Sequence, residues 1–355
     1  MKKILLGTTA LVAATAFTVG AAQADAAISG SLYQQFGGAF DADGNYGEDE
    51  GLQSYSTNSL QFSGGSTLEN GAEMAFTVDF STVNGGGTID EFRFSLADSW
   101  GKIQLGADDP VADILDAGTP AVSFIAANSG TFSHLVNGTN YNEGSMFMGT
   151  YSAVLGDTAG IHYYSPDIGG LTLGLSYNNA TPGALSSGDT TINDVASLAG
   201  IYSGEMGDVG VSVSAGVEHV MHLNNEGAGG DDTANRYRAA ADVVLGGVSL
   251  GIAYGATDYN TTTTAKVDNW SFAAGASYNA GAHTIGIDWV TAEANIGGTT
   301  GDTDGDTVAI GYAMSLGGGV SLDAGVAFID VKGRTAGSAD DVDATVFGAG
   351  MGVSF

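Results

Sequence analysis

Large apolar side chains recur at every second position through most of the chain. Between Ala72 and Phe80, Met74, Phe76, Val78 and Phe80 share one parity, and Glu73 and Asp79 fall on the other. A period of two is that of a β-strand with one apolar face, not of a helix. The pattern returns at Phe92, Phe94 and Leu96, at Leu171, Leu173, Leu175 and Tyr177, and at Val209, Val211, Val213 and Val217. It continues through Tyr237 and Val243, Trp270, Phe272 and Tyr278, Ile285, Ile287 and Trp289, and Val308, Ile310, Tyr312 and Met314. Val320, Leu322, Val326 and Phe328 extend it, and Phe347, Met351, Val353 and Phe355 end the chain on it.

Short turn signals join these runs in pairs: Glu69-Asn70-Gly71, Asp98-Ser99-Trp100-Gly101, Pro166-Asp167, Gly204-Glu205-Met206-Gly207, Gly246-Gly247, Asn279-Ala280-Gly281 and Gly317-Gly318-Gly319. Such residues reach positive φ cheaply and connect antiparallel strands. Longer polar segments lie between the pairs, around 41–53, 82–88, 107–158, 178–194, 220–235, 256–268, 291–306 and 331–340. Seven short turns and eight long loops predict sixteen antiparallel strands.

Charge decides what each face meets. Glu73, Asp79, Glu91, Arg93, Lys102, Glu218, Arg236, Arg238, Asp242, Asp288 and Asp323 all sit on the parity opposite the large apolar residues. In a soluble sandwich the apolar face would pack on a second sheet. In a transmembrane barrel it would meet lipid, where a midplane Lys or Arg costs about 2 to 4 kcal/mol. Even strand number, alternation of short turns with long loops, and aromatic residues near strand ends (Tyr177, Tyr254, Trp270, Tyr278, Trp289, Tyr312, Phe355) favour the membrane version. Hydropathy alone would miss it, because no stretch after residue 26 is long enough for a spanning helix and barrel strands need only about 9 to 11 residues.

The N-terminus agrees. Lys2 and Lys3 precede an apolar stretch, Ile4 to Val19, that ends in small residues, which is an export signal. Cleavage after Ala24 or Ala26 satisfies the small-x-small rule; Ala24 is the preferred site, giving a signal peptide at 1–24 and one barrel domain at 25–355. The whole chain holds 40 acidic and 9 basic residues, 57 glycines and no cysteine. Loss of the leader removes two lysines and no acid, so 40 acids less 7 bases leave a charge of −33. Such a chain is repelled by phosphate backbones, which disfavours nucleic acid as a partner. The hydrophobic content, 43%, excludes disorder, and lack of cysteine excludes disulfide frameworks and thiol catalysis.

Sixteen strands are too many for side chains to fill, so a barrel of this size leaves an aqueous channel. The glycine content fits strand bending in a strongly curved sheet.

At this point the chain resembles the general porins of Gram-negative outer membranes, with the alphaproteobacterial branch most similar. The residues that carry the likeness are Asp25-Ala26-Ala27-Ile28-Ser29-Gly30 as opening strand, Trp100-Gly101-Lys102-Ile103-Gln104-Leu105-Gly106 before the longest loop, and Ile161-x-Tyr163-x-Ser165-Pro166 after it. The terminal Phe355 is similar to the outer-membrane assembly signal read by the barrel-assembly machinery. The Pro-Glu-Phe-Gly-Gly pattern of many enterobacterial porins is absent. The resemblance implies an all-β, sixteen-stranded antiparallel transmembrane barrel with short periplasmic turns, long outer loops and an inward-folded third loop. It also implies a homotrimer that passes small hydrophilic solutes by diffusion.

By the same likeness, Asp108, Asp109, Asp113 and Asp116 on the third loop would face Arg93 and Lys102 across a pore constriction and set up a transverse field; solvated or turn-capping acids are the alternative. Glu73, Asp79, Glu91, Arg236 and Arg238 would line the wall, the two arginines either at the constriction or lower, paired with Asp242. With so few cations the lumen is expected to prefer cations. No cofactor is expected. The outer acids read first as a solvated rim; Asp302, Asp304 and Asp306 are candidate Ca²⁺ ligands, though without the Gly and Glu of an EF-hand loop. Bridging of the rim to lipopolysaccharide phosphates is a second role. His134, His162, His219, His222 and His283 lack the spacing of a catalytic base beside a nucleophile, so no enzyme is expected. A substrate-selective channel and a structural or adhesive barrel remain as alternatives.

Overall fold

The computed structural model describes residues 25–40, 52–83, 86–123, 125–127, 158–179, 194–223, 232–260, 267–296, 303–332 and 342–355. The leader, residues 1–24, lies outside them.

Sixteen antiparallel strands close into one barrel. The first half comprises β1 (Asp25–Phe40), β2 (Gln53–Thr67), β3 (Glu73–Val83), β4 (Gly86–Asp98), β5 (Gly101–Asp108), β6 (Thr158–Tyr164), β7 (Leu171–Asn179) and β8 (Asp194–Met206). The second comprises β9 (Val209–Leu223), β10 (Asp232–Leu245), β11 (Val248–Asn260), β12 (Val267–Ala280), β13 (His283–Ile296), β14 (Thr303–Gly317), β15 (Val320–Lys332) and β16 (Val342–Ser354). Each strand pairs with its sequence neighbours, and β1 pairs with β16 from Ser31↔Ser354 to Phe40↔Thr345, so no edge remains. Phe355 completes the seam: its N–H and C=O bond to Gly30 at 3.0 and 2.9 Å.

All seven short turns form, two of them further along the chain than expected: β8 runs on to Met206, so its turn is Gly207-Asp208, and β12 runs on to Ala280, so its turn is Gly281-Ala282. At Gly246-Gly247 both residues take positive φ, 57° and 97°, the conformation that a two-residue hairpin matched to strand twist demands. The loops on the other side start later than expected. The segment 82–88 is mostly strand, since β3 runs to Val83 and β4 begins at Gly86. The backbone ladder continues there to Val83↔Gly86, while the alternation of large apolar residues, the only sequence signal, has faded.

A bulge at Asp90 lies between the pairs Asp79↔Glu91 and Phe80↔Ile89, and it restores Ile89 to the outward face shared with Phe92 and Phe94. The apolar parity is exposed on the barrel exterior: Leu175 is 55% exposed, Leu250 53% and Ile285 55%. A soluble core would bury these side chains, so the sheet does not pack as a sandwich. No described helix is long and apolar enough to cross a membrane.

What is buried lies inside the barrel. Val111, Ala112 and Leu115 pack on Tyr164 and Ala199, and Ile125 and Ala127 join a second cluster with wall residues from Ala240 to Val346. Both clusters form between the wall and the connection that follows β5, which enters the lumen and carries one short helix, α1 (Val111–Ile114).

Candidate functional site

The connection after β5 is bonded to the inner wall residue by residue. Ser176 on β7, Ser197 on β8 and Ser214 on β9 point inward by parity, and their hydroxyls accept the backbone N–H groups of Val111 (3.1 Å), Ala112 (3.0 Å) and Ala117 (2.9 Å). The first N–H groups of a helix have no partner within it. Pro110 precedes α1 and its side chain makes no cap, so wall serines do that work. Upstream, Asn178 donates to the carbonyl of Asp108 at 2.9 Å.

Arg238 on β10 holds the far side of α1. Its cross-strand row is otherwise small, Gly174, Ala199, Gly216 and then Arg238, and α1 occupies the space those small residues leave. Arg238 donates to the carbonyl of Ala112 at 3.1 Å, is in direct contact with the Asp113 carboxylate, and approaches Asp116 to 3.4 Å. Asp116 also accepts from Ser214 at 2.8 Å. Burial pushes the Asp116 carboxyl above the usual carboxylate range, against hydrogen bonds from Ser214 and from the backbone of Gly118 and Ala117, and the charge of Arg236.

Beyond α1 the connection runs over a second set of small positions. Pro120 lies against Gly251 and Gly275, Val122 against Gly286, and Ser123 against Gly311 and Gly325. A Cβ built on Gly311 would lie 2.8 to 2.9 Å from three atoms of Ser123, closer than real Cβ contacts allow. Strand bending was the expected use of such glycines; at these positions they make a seat for the loop.

The other cluster surrounds Arg93 on β4. Its guanidinium meets Asp79 at 2.8 Å, Glu91 at 2.9 Å and Asp108 at 3.2 Å, and Gln61 donates to Asp79 at 2.7 Å. Gln104 also donates to Asp108. Lys102 joins no carboxylate here; its Nζ stands 4.1 Å from the ring centroid of Tyr164, its cross-strand neighbour on β6.

These contacts revise several expectations. Loop acids and wall cations do not face one another across open space: Asp108 touches Arg93, and Asp113 touches Arg238. Arg236 and Arg238 do not sit low beside Asp242. Arg236 pairs with the fully buried Glu218 at 3.5 Å, and Arg238 ties the loop. Asp79 and Glu91, expected on the wall, belong to the Arg93 cluster. Glu73 is at the turn end of β3, opposite Thr67 and Ala97, away from both clusters. Asp109 follows directly, its N–H bonded to the Asp108 carboxylate at 3.1 Å.

On the outer rim, Asp302 lies outside the described residues. Asp304 and Asp306 point the same way along β14. Asp306 accepts the Trp289 indole N–H at 3.0 Å, and among the described residues no group of three carboxylates or histidines has metal-holding geometry.

Sequence reasoning found the acids and cations of this site but missed the serines and glycines that seat the loop. Their only signal was the inward parity of Ser176, Ser197 and Ser214; which loop atom each would meet depends on the register of strands far apart in sequence.

Known proteins give the fold independent support. The anion-selective porin from Comamonas acidovorans is 16% identical, covering 94% of this chain and 100% of that one, with a TM-score of 0.64. An in-vitro folded OmpT of Vibrio cholerae, in a trimer form, is 16% identical over 94% of this chain and 99% of its own, at 0.63. Pseudomonas putida OprB, 9% identical over 93% and 94%, scores 0.62. No curated protein sequence matches. The family model for Gram-negative porins matches residues 7–334, and with the closed sixteen-stranded barrel this identifies the chain as a member of the Gram-negative porin family, an outer-membrane β-barrel channel.

Proposed function

We propose that this porin is a passive, water-filled channel for small hydrophilic solutes, narrowed by the segment after β5 and selective for cations. The observation that carries the reading is the segment's place: from Val111 to Ser123 its described residues meet inward-facing serines and glycines of the wall, so this part of the connection lies inside the barrel and narrows it. The constriction in this reading is bounded by Arg93, Lys102, Asp108, Asp109, Asp113 and Asp116, with Asp79 and Glu91 completing the Arg93 cluster.

Cation preference follows from the surplus of carboxylate. Arg93 is shared by three acids, Arg238 by two, and Arg236 is spent on Glu218. The described lumen arginines each meet a carboxylate and Lys102 lies against the Tyr164 ring; acids on the inward parity outnumber these four cations, and rings of acid favour cation passage. The Comamonas relative is described as anion-selective; this chain's charge argues for the opposite sign.

Residues 1–24 serve in this reading as the export leader, and Phe355, paired with Gly30 at the seam, as the signal to the assembly machinery. The trimer form of the Vibrio relative supports a homotrimer. The acidic rim, Asp304 and Asp306 included, is assigned to divalent counter-ions shared with lipopolysaccharide phosphates. A non-enzymatic role is supported by the histidines: His162 bonds Asn178, His219 bonds Asn235 and His283 bonds Tyr312, none of them a nucleophile beside an acid. The narrower alphaproteobacterial affinity rests on the sequence motifs.

Liposome swelling with a size series of neutral sugars tests the reading. Entry rates should fall smoothly with solute size and rise linearly with concentration. Saturation by one sugar would make the protein a substrate-selective channel, and no swelling at all would make it a structural barrel.

A further inference from the structure

A groove of about 350 Å³ crosses the outside of the barrel over β14, β15 and β16, lined by Asp306 and Val308, Phe328 and Asp330, and Asp343 and Thr345. Register sorts these side chains into two levels. Val308 pairs with Phe328 and Phe328 with Thr345; one level nearer the long loops, Asp306 pairs with Asp330 and Asp330 with Asp343. All share the outward parity, which Phe328 fixes at 49% exposed. Below them Ile310, Val326 and Phe347 continue the apolar wall. The groove is therefore amphipathic along the strands, with an apolar floor toward the middle of the barrel and carboxylates at its upper end.

Side chains directly opposite one another in a sheet lie about 4.5 to 5.5 Å apart, and like charges so placed repel. A cation at the upper end relieves that repulsion. Lys332, the cross-strand partner of Asp304, supplies one, its Nζ 2.7 Å from Asp330. A single ammonium thus serves Asp304, Asp306, Asp330 and Asp343. The aromatic girdle adds no donor to spare. Trp289, cross-strand neighbour of Val308, donates its indole N–H to Asp306 at 3.0 Å, and Trp270 donates to Glu293 at 3.2 Å. Indole donors at headgroup level are used within the protein, and a lipid headgroup meets mostly acceptors here.

The complementary occupant brings donors and positive charge for the upper end and a hydrocarbon tail for the floor. A bare phosphate headgroup is repelled. A divalent ion such as Ca²⁺ requires oxygens converging on it to within about 2.6 Å, and among the described residues no group of three carboxylates or histidines has metal-holding geometry. An ammonium needs no such convergence. Its N–H groups reach separate oxygens at about 2.8 Å, which suits carboxylates spread along a row.

We propose that this groove binds an outer-leaflet lipid with a primary-amine headgroup, its ammonium among Asp306, Asp330 and Asp343 and its acyl chain on Val308, Phe328 and Ile310. The proposal refines the counter-ion reading of the rim at this one row and is independent of the channel's ion selectivity.

Bromine on an acyl chain quenches a tryptophan that it touches, and Trp289 stands at the edge of the groove. Trp100→Phe and Trp270→Phe leave it the sole tryptophan. The purified full-length protein with these two changes, in a neutral detergent, is titrated with bromine-labelled octadecylamine and in parallel with the matching octadecanol. The amine should half-quench Trp289 at about one fifth of the mole fraction that the alcohol needs, the margin that two exposed ion pairs allow. That margin should disappear in Asp330→Asn/Asp343→Asn and survive in Asp258→Asn, which removes an outward acid of β11 away from the groove. Asp343→Asn alone, with a reduced margin, serves should the double variant fail to fold. Equal quenching by amine and alcohol overturns the site. So does a margin that Asp258→Asn also abolishes, since bulk charge then accounts for it. Quenching by bromine-labelled phosphatidylglycerol that needs Ca²⁺ and is lost with EDTA, without a margin for the amine, overturns the amine site and leaves the divalent reading of the rim standing.

Discussion

Arg238 is a wall residue by parity and a loop residue by contact. Its guanidinium, 3% exposed, sits between the carboxylates of Asp113 and Asp116, which are 9% and 6% exposed. Removing one partner of such a buried pair leaves charge without compensation and costs about 3 to 5 kcal/mol. Arg238→Met should therefore loosen the loop from β10, seen as greater current noise and a changed step size in single-channel records. The strands, held by their own ladders, should keep their β-sheet circular dichroism. Arg238→Lys should restore the charge but not the forked contact to Ala112, Asp113 and Asp116 together, giving an intermediate record. Unchanged records in both variants would show that the serine ladder alone holds the loop. Residue types announced these groups in the sequence, since a chain with so few cations makes each conspicuous, but their pairing did not show. Arg238 and Asp113 are 125 positions apart, and only the shared row of β7, β8, β9 and β10 brings them together.

Among the elements, the strands were the legible part. A period of two, broken by turn residues at regular intervals, specified sixteen strands and the seven short turns between them. Strand tops were not legible, because the alternation of large apolar residues stops short of them, as at Val83 and Gly86. The inner loop was foreseen as an insertion into the lumen, but its seat was not. The seat depends on glycines from different hairpins falling in line: Gly286, Gly311 and Gly325 are successive cross-strand partners from β13 to β15. A β-branched side chain in that line should push the loop off the wall. Gly311→Val is expected to cost about 1 to 3 kcal/mol of loop packing. Solute entry in the swelling assay should slow, most of all for the larger sugars, while the melting temperature of the barrel changes little. A parent-like size dependence would mean that the loop yields without moving into the channel.

For the whole molecule, closure and charge belong together. The seam between β1 and β16 is reinforced from inside by Tyr33, whose hydroxyl reaches over Gly350 to both carboxylate oxygens of Asp323 on β15 at 2.7 and 2.9 Å. With every strand paired, the barrel separates an apolar exterior from a polar interior. A charge of −31 over the whole chain is then tolerable in a membrane, because the charged residues of the strands lie on the inward parity or near the strand ends. The lumen arginines are spent on holding structure, which makes selectivity a property of the whole charge distribution rather than of one residue. The direct measurement is the reversal potential of single channels of the purified protein in a planar bilayer under a KCl gradient. Step-like, ohmic conductance with a reversal potential of the sign set by potassium is the predicted result. A potential of the sign set by chloride, or a bilayer that stays silent, would contradict the account.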